Sequence, residues 1–387
     1  MPNIPKVILL ISTARGYDRA LLSGITKYAR LHGPWTFYNE PGGQHERVIP
    51  ILENWNADGI VAHVSELEQL EKLRRPGLPV IAFGGKQKYH SVHTIHPDSG
   101  AIGKMAADFF LEKNFRNFAF CGWSDMYWST ERGEAFRDEL KKHGFKIQFY
   151  SRPQMRYQRP WEKEQKLLMD WLKSLPKPVA VMACNDDRAL HILEACKNQG
   201  ISVPNEVAVL GVDNDRLICH LTNPILSSIE LDYERTGYEA AEFLKELMDG
   251  AKYEPRMISA FPLRVIERGS TPALITNEPL VARALDFIYV NSKRPIQVTD
   301  VAEAVVASRR TLEQKFRNER NRSVLQEIRR ARVQRVARML EETNLSIYKI
   351  AIILGFTSVN NISRYFRRET GISPSEHRER FGQIIRQ

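Results

Sequence analysis

Three short stretches of the sequence place carboxylates or amides next to arginines, and each stretch directly follows a run of apolar residues. Their polar side chains include Tyr17, Asp18 and Arg19 in the first stretch, Asn185 and Asp186 in the second, and Asp213 in the third. Carboxylates accept hydrogen bonds from hydroxyl groups, and arginine donates them. Because the opposite charges balance, this chemistry suits a neutral polyhydroxyl ligand. Any one of these carboxylates could instead cap the helix that follows it.

The elements that would position these residues are the strands and helices of an α/β fold. Continuous apolar runs predict buried parallel strands, and the stretches between them predict helices. Ligands of open α/β sheets bind beyond the carboxyl ends of the strands, where the polar stretches lie. Tyr17, Trp123 and Trp128 could supply flat walls for a sugar ring, although tryptophans more often lie in the core. The predicted strands are 7–12, 59–63, 79–83, 118–122, 179–183 and 207–212, and the predicted helices include 20–31, 100–113, 161–174 and 189–199.

A helix-turn-helix pattern is predicted at 299–317. Thr299 opens a first helix, a break follows near Ala307 and Ser308, and a second helix comes after it. Such a pair docks its second helix by an apolar stripe and presents the polar face to base edges and phosphates. The apolar stripes comprise Val301, Ala302, Val305 and Val306, then Leu312 and Phe316. The predicted DNA-binding side chains are Arg309, Arg310, Gln314 and Arg317.

The same pattern recurs at 347–368. Gly355 makes the turn, and an arginine-rich helix at 329–340 separates the two pairs. That helix could hold both recognition helices over adjacent major-groove turns, roughly 34 Å apart. A helical bundle with solvated arginines is the alternative, against which the duplication argues. The apolar stripes are Ile347, Ile350, Ala351 and Leu354, then Val359, Ile362 and Phe366, and the predicted DNA-binding side chains are Asn360, Asn361, Arg364, Arg367 and Arg368.

The positive charge of the chain is concentrated in this helical part. The whole chain carries 56 Lys and Arg against 46 Asp and Glu, a net charge of +10. Residues 276–387 contain 21 basic and 12 acidic residues, or +9, which leaves 35 against 34, or +1, for residues 1–275. A basic domain behind a near-neutral one predicts that the end of the chain binds a polyanion.

Other function classes find little support. The 387 residues suggest two or three domains, and no apolar run is long enough to cross a membrane or to serve as a signal peptide. The four scattered cysteines fit a reduced cytoplasm. His90, His93 and His96 suggest a metal site, but on a strand neighbours three apart point in opposite directions. An enzyme would use Asp18 and Asp186 for acid–base work, yet nearby arginines keep carboxylates ionised. We therefore predict no catalytic residue, metal or cofactor.

The front part resembles the sugar-sensing core of lactose-repressor-like regulators, which have a periplasmic-binding-protein fold. The resemblance rests on segments 183–189, 209–214 and 221–229 and covers most of residues 4–268. It implies two lobes joined by three crossovers, with a sugar between them. Arg132 matches the arginine that grips sugar hydroxyls, and Asp98 falls where the first lobe supplies a carboxylate. Asn185 or Asp186, and Asp213, match polar ligand contacts. Such cores usually follow a DNA-binding headpiece, which is expected elsewhere in this sequence.

The back part resembles AraC-type transcription regulators. The matching segments are 347–351, 355–358, 364–367 and 371–374, and the pattern at 301–316 fits the first half of that domain, so the resemblance covers residues 280–380. Ile362 stands where phenylalanine is usual, and His377 replaces a tyrosine or phenylalanine. Both are packing positions, so these departures concern local core packing rather than the fold.

Together, the resemblances imply a two-lobed, type I periplasmic-binding-protein-like α/β sensor at 1–269 and an all-α AraC-type domain with two helix-turn-helix motifs at 280–387. The stretch between them, 270–279, is rich in Thr, Pro and Asn, which predicts a linker. This domain order resembles regulators of pentose operons. It implies D-xylose as the effector and activation of pentose catabolic genes. We further expect a homodimer that binds double-stranded DNA in the cytoplasm, at the nucleoid, and that contacts RNA polymerase if it is an activator. A repressor, a response to another sugar and, more distantly, a sugar-processing enzyme stay open as alternatives.

Overall fold

The chain divides into two compact units, Met1–Leu274 and Ile275–Gln387. The computed structural model describes residues 4–39, 56–64, 66–85, 89–150, 161–272, 278–320 and 322–381. Of the predicted linker at 270–279, residues 273–277 lie outside the described residues. Ser270 belongs to the first unit, because it is fully buried and its hydroxyl donates to the carbonyl of Val209 at 2.6 Å. The first helix of the second unit begins at Pro279.

The first lobe of the α/β unit is built on a six-stranded sheet whose neighbouring strands all run parallel. Its central strands are continuously buried, as expected for a sheet with helices on its faces. The strands are β1 (Lys6–Leu10), β2 (Thr36–Asn39), β3 (Gly59–His63), β4 (Val80–Phe83), β5 (His93–Pro97) and β11 (Met257–Ala260), in the order β11-β5-β4-β3-β1-β2. The helices α1 (Gly16–His32), α2 (Leu67–Leu73) and α8 (Tyr233–Met248) belong to this lobe.

The second lobe has a six-stranded sheet of similar design. Its last strand runs antiparallel to its neighbour, and the other pairs are parallel. The strands are β6 (Asn117–Cys121), β7 (Ile147–Phe149), β8 (Val179–Ala183), β9 (Val207–Val212), β10 (Ser227–Leu231) and β12 (Pro262–Ile266), in the order β12-β10-β9-β8-β6-β7. The helices are α3 (Ser99–Glu112), α4 (Tyr127–Lys142), α5 (Trp161–Ser174), α6 (Asp186–Asn198) and α7 (Arg216–Leu221).

The chain passes between the lobes three times. It leaves the first lobe between β5 and α3, returns between β10 and α8, and crosses again between β11 and β12. Helix α8 then packs on α1 so closely that a Cβ atom on Gly24 would lie 2.0 Å from the carbonyl oxygen of Glu234. The two-lobed fold with three crossovers that the resemblance implies is therefore confirmed.

The helices begin closer to the strands than predicted. Helix α1 starts at Gly16 rather than residue 20, and α6 starts at Asp186 rather than residue 189. For α6 the cause is local capping, because the side-chain oxygen of Asn185 accepts a hydrogen bond from the Arg188 amide at 3.0 Å. Within the described part of the structure, no helix is long and apolar enough to span a bilayer.

The second unit is all-helical, as predicted, and has two apolar clusters. The long arginine-rich helix joins them, since Val324 and Ile328 belong to the first cluster and Val336 and Leu340 to the second. The helices are α9 (Pro279–Val290), α10 (Val298–Ala304), α11 (Arg309–Arg320), α12 (Val324–Glu342), α13 (Ile347–Ile353), α14 (Val359–Thr370) and α15 (Pro374–Phe381).

One predicted apolar contact in the first helix-turn-helix is wrong. Val306 does not line α10 but is 90% exposed, with a φ of 54°. Its amide donates to the Glu303 carbonyl, and the Ala307 amide donates to the Ala302 carbonyl. These two bonds form a Schellman motif, which ends a helix with a left-handed residue. The start also differs, because Gln297 rather than Thr299 caps this helix.

Candidate functional site

A cavity lies between the two lobes of the α/β unit, at the carboxyl ends of their strands. Its volume is about 100 Å³, several times the ~10–15 Å³ that one water needs. The cavity therefore has room for a small organic molecule. The first lobe lines it with Arg15, Tyr17, Leu21, His63, Phe83, Gly84, Gly85, Ile95, Pro97 and Tyr233, and the second lobe with Met126, Tyr127, Trp128, Arg132, Asn185 and Asp213.

Arg132 is the buried cation of this cavity. Its side chain is 2% exposed and projects from α4, and one Nη donates to the carbonyl of Cys184 at 2.5 Å. The other Nη lies 3.6 Å from a carboxylate oxygen of Asp213, and the guanidinium lies over the ring of Trp128, 5.0 Å from its centroid. Its buried Nε has no hydrogen-bond partner among the described residues. Arg132 is thus rigidly held where it lines the cavity.

Asp213 supplies the matching anion. It follows β9 with a φ of 100°, and the hydroxyl of Tyr233 donates to its carboxylate at 3.2 Å. Burial raises the pKa of Asp213 to about 6, and the charge of Arg132 opposes that shift. The carboxylate therefore sits between one fixed cation and one fixed hydroxyl at the cavity wall.

Aromatic rings form much of the remaining wall. The rings of Tyr17 and Tyr233 lie 5.6 Å apart between centroids. The hydroxyl of Tyr127 is hydrogen-bonded to His96 of the other lobe, and the centroids of these two rings are 4.8 Å apart. Flat apolar walls with a few fixed polar groups are typical of small-ligand sites, and here the groups are charge-balanced.

The second unit presents two polar helix faces. Both pairs, α10–α11 and α13–α14, have the helix-turn-helix order, and Leu312, Phe316, Ile362 and Phe366 anchor their second helices in the core. All nine predicted DNA-binding side chains are exposed. They are Arg309, Arg310, Gln314 and Arg317 on α11, and Asn360, Asn361, Arg364, Arg367 and Arg368 on α14.

Helix α12 fixes the second pair by direct contacts. Arg332 donates to the Leu354 carbonyl at 2.8 Å, and its guanidinium lies 4.2 Å from the centroid of the Phe356 ring. The hydroxyl of Tyr365 donates to the Arg329 carbonyl at 3.1 Å. The two residues that depart from the AraC-type pattern also pack in this core. Ile362 is fully buried, and the ring of His377 lies against Phe366.

A concave basic surface adjoins the end of α11. It is lined by Arg317, Arg322, Ser323, Leu325, Gln326 and Arg329, and we call it the arginine cradle. Arg322 lies 3.9 Å from a carboxylate oxygen of Glu327. For Arg317 and Arg329, the described residues offer no side-chain ion pair. The cradle is therefore open to an anion beside the recognition helix.

Three family models match successive parts of the chain. They are the XylR N-terminal domain at residues 6–99, a periplasmic binding protein-like domain at 107–271 and a helix-turn-helix domain at 301–380. The xylose operon regulatory protein of Haemophilus influenzae is 33% identical over 381 residues, 96% of this chain and 98% of that protein. The chain belongs to the family of xylose operon regulatory proteins. As a member of this family it is a DNA-binding transcription regulator, and both resemblances predicted from the sequence are confirmed.

Two further comparisons cover almost the whole chain of this regulator. The xylose operon regulatory protein of Escherichia coli K12 is 29% identical over 382 residues, 97% of each chain. A solved structure described as the xylose-binding transcription activator xylR is 28% identical, has a TM-score of 0.79, and covers 99% of this chain and all of that one. The order of the two units is thus shared with these relatives.

The structure brings five of the nine predicted ligand residues of this family member to the cavity. Tyr17, Trp128, Arg132, Asn185 and Asp213 line it. The other four lie outside the described lining, each for a local reason given next.

Two of these four residues hydrogen-bond to groups of the second lobe. Asp98 caps α3 by accepting from the Ala101 amide at 2.8 Å. Asp186 is buried, and its carboxylate accepts from the Ser228 hydroxyl at 2.6 Å and the Asp215 amide at 2.7 Å. Burial raises the pKa of Asp186 well above its ordinary value. Both residues therefore hold the loops that carry the cavity residues.

The other two residues, Asp18 and Arg19, point away from the cavity because α1 begins at Gly16. Asp18 is fully buried in the first turn of this helix. Arg19 donates to the Thr13 carbonyl at 2.8 Å. Trp123 is also buried, with the guanidinium of Arg188 over its ring at 4.5 Å, so it is no cavity wall.

Several lining residues went unpredicted. Arg15 lies two residues before Tyr17, Tyr127 directly precedes Trp128, and His63 ends a predicted strand, so the rule on carboxyl ends of strands could have found all three. Tyr233 follows the second crossover, and no local signal in the sequence marks it. Of the three histidines spaced three apart, His93 packs against Phe243 and His96 against Tyr127.

Proposed function

We propose that this regulator is activated by D-xylose and turns on pentose catabolic genes as a homodimer on double-stranded DNA. The observation that carries the proposal is the buried Arg132, which lines the cavity beside Asp213. Relatives named for the xylose operon support the choice of sugar.

The charges of the cavity favour a neutral sugar over a sugar phosphate. Arg132 is paired with Asp213, and Arg15 lies 3.8 Å from a carboxylate oxygen of Asp187. A phosphate would therefore bring extra negative charge toward carboxylates that already balance the arginines. Hydroxyl groups can accept from Arg132 and donate to Asp213 without this cost.

The second unit binds DNA through α11 and α14. Arg310, Gln314 and Arg317 are spaced along one exposed face of α11, where they reach base edges. The arginine cradle at the end of this face binds a backbone phosphate, which positions the helix without reading sequence. Residues of α14 act in the same way on the neighbouring major-groove turn.

Sugar binding is coupled to DNA binding through lobe closure. The sugar closes the lobes, closure changes how two protomers pair, and the pairing sets the spacing of their recognition helices over the half-sites. A few kcal/mol of coupling suffices for such a switch. The activated dimer, in the cytoplasm at the nucleoid, then recruits RNA polymerase.

The carboxylates considered for catalysis favour a regulator over an enzyme. Asp186 accepts from Ser228 and Asp215, and Asp18 is buried in α1. Neither lines the cavity, so acid–base work on a bound sugar is not proposed.

A thermal-shift panel tests the choice of effector. D-Xylose, D-ribose, L-arabinose, D-glucose and D-xylulose are each titrated, since a ligand that binds only the folded protein raises its melting temperature. We expect the largest shift with D-xylose. A larger shift with another sugar would reassign the effector, and no shift with any of them would overturn the sensor role.

A DNA-binding assay tests the rest of the proposal. Fluorescence anisotropy with DNA from upstream of pentose catabolic genes is measured with and without the sugar. We expect tighter binding with D-xylose, and transcription from the same DNA should rise. Release from the DNA by the sugar would identify a repressor instead.

A further inference from the structure

We infer that Asp215 is a positioning residue for the cavity, because its carboxylate on the second lobe caps helix α1 of the first lobe. One oxygen of Asp215 accepts a hydrogen bond from the backbone amide of Gly16 at 2.7 Å. Gly16 stands between Arg15 and Tyr17, which both line the cavity. The contact therefore fixes, from the opposite lobe, the backbone that holds two cavity side chains. Asp215 itself lies outside the lining.

Helix α1 depends on this outside cap. Arg15 occupies its N-cap position and makes no side-chain capping hydrogen bond. The first amides of a helix have no partner within the helix, and a carboxylate there accepts from them and meets the positive end of the helix dipole. Arg19, one turn further on, lies 3.7 Å from the other oxygen of Asp215. The carboxylate of the second lobe thus contacts both the first amide and the first-turn arginine of a helix in the first lobe.

The missing side chain of Gly16 is what allows the approach. A Cβ atom at this position would lie 2.9 Å from the carboxyl carbon of Asp215 and 3.0 Å from one of its oxygens. Real Cβ atoms do not approach so closely, so any other residue would push the carboxylate away. This close approach is a second observation, separate from the hydrogen bond, that pairs Gly16 with Asp215.

Hydrogen bonds within the second lobe fix the position of Asp215. Its amide donates to the buried carboxylate of Asp186 at 2.7 Å, and its second oxygen accepts from the Leu217 amide at 3.1 Å. A single carboxylate therefore caps α7 of its own lobe and α1 of the other. The second cap exists only when the lobes are together, so it favours the closed cavity before any ligand binds. Removing it should weaken the sugar indirectly, through the population of the closed state.

Two variants and one control test this inference. Asp215→Ala removes the capping acceptor, and Asp215→Asn keeps an acceptor but loses the charge. Glu66→Ala is the control, because the Glu66 side chain caps α2 within the first lobe. All three are made in the full chain.

Hydrogen exchange without sugar is the first measurement. In Asp215→Ala, the amides at the start of α1 should exchange about tenfold faster than in the wild type, since a lost cap typically costs a helix end about that much protection. Asp215→Asn should show a smaller change, and Glu66→Ala none at α1. This arm needs no ligand and so stands apart from the proposed function.

The second measurement is the calorimetric Kd for D-xylose, which rests on the proposed function. It should rise about five- to tenfold in Asp215→Ala and about twofold in Asp215→Asn, with no change in Glu66→Ala. Unchanged exchange at α1 in Asp215→Ala overturns the inference whatever happens to the Kd. Faster exchange with an unchanged Kd overturns the link to the sugar. A wild type that binds no xylose, with faster exchange in Asp215→Ala, overturns the effector and leaves the cap standing. Should Asp215→Ala fail to fold, Asp215→Asn decides between these outcomes.

Discussion

The guanidinium of Arg132 and the carboxylate of Asp213 lie 3.6 Å apart at the cavity wall, and each has a second fixed partner. Arg132 also donates to the Cys184 carbonyl, while Asp213 also accepts from the Tyr233 hydroxyl. Because both side chains are fixed, a ligand must place its own hydrogen-bonding groups to match the positions of Arg132 and Asp213. Adjacent hydroxyl groups on a sugar ring meet this demand, because one can accept from the Arg132 guanidinium while the other donates to Asp213.

The first prediction concerns Arg132→Ala, which should raise the Kd for D-xylose at least about 100-fold. A hydrogen bond from a charged group contributes about 1.5–3 kcal/mol, and the variant also leaves Asp213 buried without its cation. Calorimetry measures the effect, and affinity for DNA without sugar should stay the same. Arg137→Ala, on the exposed side of the same helix, is the control. Equal losses of sugar and DNA affinity would argue against separate sites.

The second prediction is a pH dependence that Asp213→Asn removes. Burial raises the pKa of Asp213 from 3.8 to about 6. The folded state therefore binds this proton more tightly than the unfolded state does. The resulting stabilisation is fully present below about pH 4 and is lost as the pH rises through about 6, with a total of up to about 3 kcal/mol. An asparagine side chain has no proton to lose in this range, so the variant should show a flatter curve.

Urea unfolding between pH 4 and 7, followed by tryptophan fluorescence, checks this second prediction. All 6 tryptophans lie within residues 1–274, so the signal reports on the sensor unit. Asp186→Asn is a useful comparison, because the raised pKa of Asp186 acts in the same direction. Parallel curves for the wild type and Asp213→Asn would contradict the prediction.

The sequence predicted the frame of the cavity better than its detailed lining. Apolar runs located the strands 59–63, 179–183 and 207–212 residue for residue, because fully buried parallel strands tolerate few polar residues. The rule on carboxyl ends of strands then located Asn185 and Asp213. It could not show that α1 starts at Gly16, and this early start turns Asp18 and Arg19 away from the cavity.

Long-range partners account for the remaining differences. Asp186 has the same residue type as a ligand contact, and only the folded structure shows that its oxygens accept from Ser228 and Asp215, which are distant in the sequence. Tyr233 enters the cavity from a helix that returns to the first lobe after a crossover. Such a meeting depends on the path of the chain, which local patterns do not encode. The two helix-turn-helix motifs were easier to predict from the sequence, since their apolar patterns are local and occur twice.

A third prediction separates the arginine cradle from the base-reading face. Arg317→Ala, Arg322→Ala and Arg329→Ala should each weaken binding to all DNA sequences alike. Each should also lower the slope of log affinity against log salt by about 1, as expected when one phosphate contact is lost. Anisotropy at several salt concentrations measures both effects. An unchanged salt slope in all three variants would remove the cradle from the interface.

The fourth prediction concerns the exposed faces of α11 and α14. Arg310→Ala and Arg364→Ala should each cost about 1–3 kcal/mol of affinity for the cognate DNA and relax the preference for it over other sequences. The response of the sensor to sugar should stay the same. Arg283→Ala, on α9 outside both helix pairs, is the control. Full retention of sequence preference in both variants would contradict the assignment of these helices.

The last prediction follows from the two turns, which have the same Schellman geometry with different residues. Val306 has a φ of 54° in the first turn, and Gly355 has a φ of 68° in the second. A left-handed conformation costs a β-branched residue about 1–2 kcal/mol, while glycine adopts it freely. Val306→Gly should therefore stabilise the helical unit by about 0.5–1 kcal/mol after the entropy of the added glycine is counted.

Gly355→Ala should have the opposite effect, because its φ is positive and a Cβ atom there would lie 3.1 Å from Pro295 Cδ. Ala307→Gly is the control for Val306→Gly, since Ala307 is the next residue and is not among those with a positive φ. Unfolding is followed by circular dichroism and by tryptophan fluorescence together. Because all tryptophans lie in the sensor unit, a change seen by circular dichroism alone reports the unfolding of the helical unit. A Val306→Gly variant no more stable than Ala307→Gly would show that the strain at Val306 is relieved elsewhere in the turn.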